Sequence, residues 1–87
     1  MLKIMLLRRS TYNICMKTIA EKSNITWPNG KPILEDYEEF KERCFLYLYI
    51  TDRNELALLN TCNLHGEYEI LNIHEFSELC EKKCPKN

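Results

Sequence analysis

Two hydrophobic patterns alternate along this chain. Residues 2 to 8, LKIMLLR, and 44 to 51, CFLYLYIT, are apolar at both odd and even positions. Drawn out as strands they present apolar side chains to both faces of a sheet, which favours its interior. In the second run Cys44, Leu46, Leu48 and Ile50 share one face and Phe45, Tyr47 and Tyr49 the other, so a central strand is predicted. The first run suits a buried strand and equally the start of a helix. Residues 55 to 62, ELALLNTC, alternate Leu56 and Leu58 with Ala57 and Leu59, while in residues 67 to 71 Tyr68 and Ile70 face away from Glu67 and Glu69. The last three runs recur at about ten-residue spacing and predict a three-stranded antiparallel meander over residues 44 to 71. Asp52-Arg53-Asn54 and Asn63-Leu64-His65-Gly66 would be its turns, with Gly66 in the left-handed position of the second.

Where the apolar period lengthens to three or four, helices are predicted. Ser10 or Thr11 is placed to cap a helix running to Lys22, with Ile14, Cys15, Thr18 and Ile19 inward. Over residues 35 to 43, Tyr37 and Phe40 make an apolar stripe that Ile33 and Cys44 extend, and Glu35, Glu38, Glu39 and Glu42 occupy the other face. Asn72 caps a last helix, with Glu75 in the capping-box position, Ile73, Phe76, Leu79 and Cys80 as its apolar stripe, and Pro85 beyond its end. Between the first two helices, Asn29-Gly30 signals a turn flanked by Pro28 and Pro32, with Trp27 covering the core. The expected fold is α+β: one domain over residues 1 to 87, a small antiparallel sheet with or without an N-terminal strand, and two or three short helices on one face.

Eighty-seven residues suffice for one hydrophobic core but not for a roomy substrate cleft beside it, which argues against an enzyme. No phosphate-cradling glycine loop, nucleophile elbow or paired-carboxylate motif is present, and no cofactor is expected. No apolar run approaches the roughly 18 residues of a membrane span. The opening MLKIMLLRR is too short and wrongly flanked for a secretory signal, so a cytoplasmic protein with reduced thiols is expected. Lys3, Arg8, Arg9 and Lys17 without an acid in the first twenty residues give a secondary, presequence-like reading.

Charge changes the picture most. Residues 1 to 34 carry six Lys/Arg against Glu21, net +5; residues 35 to 81 carry three bases against twelve acids, net −9; Lys82, Lys83 and Lys86 follow. The basic segment, with Lys3, Arg8, Arg9, Lys17, Lys22 and Lys31 near Tyr12 and Trp27, supports an alternative reading as a nucleic-acid-binding protein. The acidic body supports the preferred one. Glu35, Glu38, Glu39 and Glu42 on one helix, Glu75 and Glu78 on another, and Glu67 and Glu69 on a strand would resemble a phosphate backbone if contiguous.

Metal-binding chemistry has one coherent candidate. Cys62 and His65 stand three apart at a loop, and Cys80 and Cys84 four apart near a helix end, which is the paired thiolate and imidazole supply of a structural zinc site. Each member also has a plain account: Cys80 belongs to a helix's apolar stripe, and His65 to a turn. The preferred reading is therefore a non-enzymatic protein-binding domain, an inhibitor or adaptor acting through acidic residues 35, 38, 39, 42, 75 and 78. In general make-up it resembles the small counter-defence and host-takeover proteins of viruses and phages. A homodimer through the aromatic strand 44 to 51 is expected if one of its faces is left open.

Overall fold

The first apolar run is a strand. In the computed structural model, which describes residues 1–35, 45–59 and 66–86, β1 spans Leu2–Arg8 and its Ile4, Met5 and Leu7 are all buried. Helix α1 (Tyr12–Lys22) follows, then β2 (Phe45–Ile50), β3 (Leu56–Leu59), β4 (Tyr68–Ile70) and helix α2 (Ile73–Lys83). Residues 36 to 44, which hold all of the predicted helix but its first residue together with Cys44, lie outside the described residues.

Among the described residues the fold is α+β, with a four-stranded mixed sheet in the order β3-β2-β1-β4 and two helices. β2 pairs antiparallel with β1 (Met5 opposite Leu48) and with β3 (Leu48 opposite Leu58), joined to the latter by a turn in which Asn54 takes φ 59°. This hairpin is the first half of the expected meander. The second half is corrected: β4 does not pair with β3 but runs parallel to β1 on the opposite edge, with Leu2 opposite Tyr68 and Ile4 opposite Ile70. The reason lies in β1, whose apolar residues on both faces require neighbours on both flanks. β4, only three residues long, with Glu69 within it and Glu67 just before it, suits an edge. Gly66 takes the left-handed φ of 76°, yet not as the tip of a hairpin, because β3 and β4 lie at opposite sides of the sheet.

Met5, Leu7, Leu48 and Leu56 share a buried cluster with Tyr12, Cys15, Met16 and Ile19 of α1 and with Phe76 and Cys80 of α2, so both helices cover one face of the sheet. Ile14, expected inward, is 66% exposed, and Tyr12 and Met16 take its place. Thr18 turns its hydroxyl onto its own helix, donating to Ile14 O at 2.8 Å. Thr11 sits at the N-cap position without capping through its side chain. The Asn29-Gly30 turn forms as expected: Thr26 bridges Pro32, Gly30 N–H donates to Trp27 O at 2.8 Å with Gly30 at φ 82°, and the Trp27 ring is buried. Leu56 N–H donates to Thr26 O at 2.9 Å, so this loop lies along the outer edge of β3.

The end of the chain closes the fold. Ser23, directly after α1, bridges Pro85, and its hydroxyl lies 2.7 Å from Cys84 O and 3.0 Å from Cys80 O. Asn24 N–H adds a bond to Cys84 O at 3.0 Å. The last carbonyls of α2 are thus satisfied by residues some sixty positions earlier, which helix termini require of some partner.

Candidate functional site

Acidic residues from two elements meet at one margin of the sheet. β4 carries Glu69, and only Leu71 and Asn72 separate β4 from α2, so the chain doubles back with Glu75 and Glu78 beside that strand. Asn72 makes the predicted capping box: its side chain accepts from Glu75 N at 2.8 Å, and the Glu75 carboxylate accepts from Asn72 N at 3.1 Å. That contact fixes Glu75 at the positive end of the helix dipole. Glu78, one turn on, pairs with His74 Nε2 at 3.1 Å on the exposed side. Glu69, Glu75 and Glu78 together line a shallow concavity of about 310 Å³, with Leu71 and Leu79 as its apolar wall and Lys3 and Lys82 as its cations.

The expected acidic set is therefore divided. Glu75 and Glu78 are brought together, and Glu69 joins them. Glu35 lies elsewhere, on the loop that follows Trp27, exposed and paired with Lys31 at 3.4 Å. Glu38, Glu39 and Glu42 lie outside the described residues. Lys3, from the basic N-terminal segment, stands opposite Glu69 in the β1–β4 ladder, a juxtaposition that no local pattern in the chain signals.

A second feature adjoins the carboxylates. Tyr68 and Ile70 are 44% and 57% exposed, whereas Ile4, opposite Ile70 on β1, is fully buried. Both residues project on the sheet face away from the helices, since they alternate with Glu69. Alternation in the sequence assigned the two to a common face; no local signal showed that this face would meet solvent at an edge. Tyr47 and Tyr49 of β2 are half-buried, and β2 is flanked on both sides, so its face and not its edge is what a second chain could meet.

The thiols are placed for packing. Cys15 and Cys80 are buried, and burial raises both thiols, that of Cys80 to about 12 with Cys84 nearby adding to the rise. Cys84 is half-buried, and its thiol donates to Asn54 O at 3.3 Å, tying the end of α2 to the β2–β3 turn. Cys62 and His65, the other half of the proposed zinc set, lie outside the described residues. Among the described residues no three Cys, His, Asp or Glu side chains gather to hold a metal.

The basic candidates are spread out. Lys3 and Arg8 occupy opposite ends of β1, roughly 16 Å apart at strand rise. Lys17 and Lys22 lie on α1, and Lys31 is paired with Glu35. No helix among the described residues is long and apolar enough to cross a membrane.

Compared with known proteins, the chain matches no family model, no curated protein and no solved structure.

Proposed function

We propose that the chain is a non-enzymatic protein-binding domain of inhibitor or adaptor type, engaging a basic partner through the margin formed by β4 and the first half of α2. The supporting observation is the convergence of Glu69, Glu75 and Glu78 on one concavity beside the exposed Tyr68 and Ile70. Carboxylates at a surface steer association and select the sign of the partner, and exposed aromatic and aliphatic groups supply area to bury once contact is made. Lys3 and Lys82 share the concavity, so the negative field forms a narrow stripe. A stripe of carboxylates matches a partner surface built to contact phosphates, such as that of a nucleic-acid-binding protein.

The test is capture from extracts of the native host, with bound proteins identified by mass spectrometry. The triple variant Glu67→Lys, Glu69→Lys, Glu78→Lys is expected to keep the wild-type melting temperature within a few degrees and to lose a basic partner. Unchanged capture removes the β4–α2 margin from the reading. Loss confined to a Glu38→Lys, Glu39→Lys, Glu42→Lys variant moves the contact to residues 35 to 42.

A further inference from the structure

The free side of β4 has a defined pattern of unused backbone groups. In the β1–β4 ladder, Leu2 N–H donates to Glu67 O at 3.2 Å and Leu71 N–H donates to Ile4 O at 2.7 Å. Because N–H and C=O groups alternate sides along a strand, these two bonds orient Glu67, Glu69 and Leu71 toward β1 and the backbone of Tyr68 and Ile70 away from it. β4 ends the sheet, and among the described residues nothing meets those outward groups. The opposite margin differs, since Leu56 N–H on β3 is already taken by Thr26 O.

From this edge we infer that the partner supplies an extended segment that adds to β4 as a further strand, with cationic side chains opposite Glu67 and Glu69 and apolar ones opposite Tyr68 and Ile70. The inference rests on the protein-binding reading and specifies its mode. Main-chain bonds to Tyr68 and Ile70 supply attachment, and the alternating side chains supply selection. The ladder already holds the matching pair on its inner flank, where Lys3 stands opposite Glu69. An incoming lysine or arginine would repeat that pairing on the outer flank.

Charge also excludes the most obvious competitor, a second copy of this chain. In a two-fold antiparallel pairing the outward residues Tyr68 and Ile70 must form the hydrogen-bonded pairs. Centred on Glu69, this sets Glu69 against itself in the close, non-hydrogen-bonded position; centred on Tyr68, it sets Glu67 against Glu69 twice. Like charges directly opposite one another are unfavourable in either register. Centring on Ile70 brings in Asn72, which is committed to capping α2.

The experiment is an amide-shift titration of the intact protein with a capped peptide of alternating lysine and valine. Three comparison peptides are used: alternating glutamate and valine, a lysine–valine peptide N-methylated on every residue, and a lysine–serine peptide. Shifts at Tyr68, Glu69 and Ile70, slowed exchange of the Tyr68 and Ile70 amides, and about tenfold weaker binding to a Glu67→Lys, Glu69→Lys variant are expected. The N-methylated peptide, which has no backbone donors and carries methyl groups on both edges, should fail to protect those amides. Binding that shifts only α2 residues around Glu75 and Glu78 overturns strand addition while leaving an acidic protein-binding surface. Equal binding of the glutamate–valine peptide overturns the cationic commitment, and equal binding of the lysine–serine peptide overturns the apolar one. No shift with any peptide at millimolar concentration overturns strand addition, while the reading beneath it stands or falls by capture that is lost in the Glu67→Lys, Glu69→Lys, Glu78→Lys variant. A protein whose light scattering shows self-association abolished by Glu69→Lys, and not enhanced by it, overturns the argument against a second copy.

Discussion

Replacing Ser23 by alanine removes a single oxygen that ties three parts of the chain together. Ser23 ends α1 by donating its N–H to Ile19 O at 2.9 Å, then turns extended and is 3% exposed. Its hydroxyl has one proton, and the shorter contact, 2.7 Å to Cys84 O, marks the stronger of its two acceptors. The same oxygen accepts from Ile25 N–H at 3.1 Å in a buried setting. In Ser23→Ala the two carbonyls keep other donors, because Asn24 N–H still reaches Cys84 O and Cys84 N–H still reaches Cys80 O. Ile25 N–H does not, and is left buried and unpaired. An orphaned buried amide costs about 1–3 kcal/mol. Taking about 2 kcal/mol, the melting temperature should fall by roughly 8–16 °C for a domain of this size. That is a substantial part of the roughly 4–13 kcal/mol total expected for such a chain.

The control is Ser77→Ala. Ser77 is as deeply buried, but its hydroxyl donates to His74 O at 2.9 Å within its own helix. Its removal orphans no donor, and alanine is the better helix former by about 0.5 kcal/mol, so the change should stay within about 1 kcal/mol of neutral. Urea unfolding followed by far-ultraviolet circular dichroism measures both, and the slope with denaturant should match wild type if the native surface is unchanged. Hydrogen exchange gives a second readout: in Ser23→Ala the amides of Ile25 and Cys84 should exchange faster relative to those of β1 and β2. A Ser23→Ala protein no less stable than Ser77→Ala would refute the tie.

Three further outcomes follow from groups whose surroundings are equally specific. Because burial holds the Cys80 thiol neutral up to about 12, above its ordinary value of 9.0, the associated stability is complete below pH 9 and is lost as pH rises toward 12; the urea midpoint should fall across that window more steeply in wild type than in Cys80→Ala, and parallel curves would contradict this. In the same protein at neutral pH, iodoacetamide should label the half-buried Cys84 well before Cys15 and Cys80, as peptide mass spectrometry would show. Gly30→Ala should destabilise by about 1–2 kcal/mol for a purely backbone reason, since φ is +82° and nothing beyond its own chain neighbours lies within 4 Å of the added methyl; a neutral result in urea unfolding would show that this turn relaxes freely.

How much of this was legible in sequence depends on the range of the interaction. The run of residues 44 to 51 announced an interior strand because both of its faces are apolar, and Asn72 with Glu75 announced a helix start because a capping box is closed within four residues. Helix α1 was found with the right ends but rotated. Cys15 and Ile19 fit a stripe with either Ile14 or with Tyr12 and Met16, and Met16 is the residue the core takes. Ser23 gave no signal, because its partners lie 57 and 61 positions away. Among the acids, helical and strand periodicity correctly set Glu75 and Glu78 on one face and Glu67 and Glu69 on another. Their meeting depended on which strand β4 would join.

That last choice is where the fold and the proposed function share a cause. Alternation along residues 67 to 70 specifies which side chains share a face, but it is silent on which flank finds a neighbour, since flank is decided by strands far away in sequence. Placed after β3, the strand would have hidden one edge in the meander and left β1 with an open flank. Placed beside β1 instead, it seals the strand that buries Ile4, Met5 and Leu7, moves Glu69 next to Glu75 and Glu78, and turns the backbone of Tyr68 and Ile70 outward. The interior requirement of β1 therefore produces the edge, and the short acidic strand that satisfies it is the kind that resists its own copies while remaining open to a basic one.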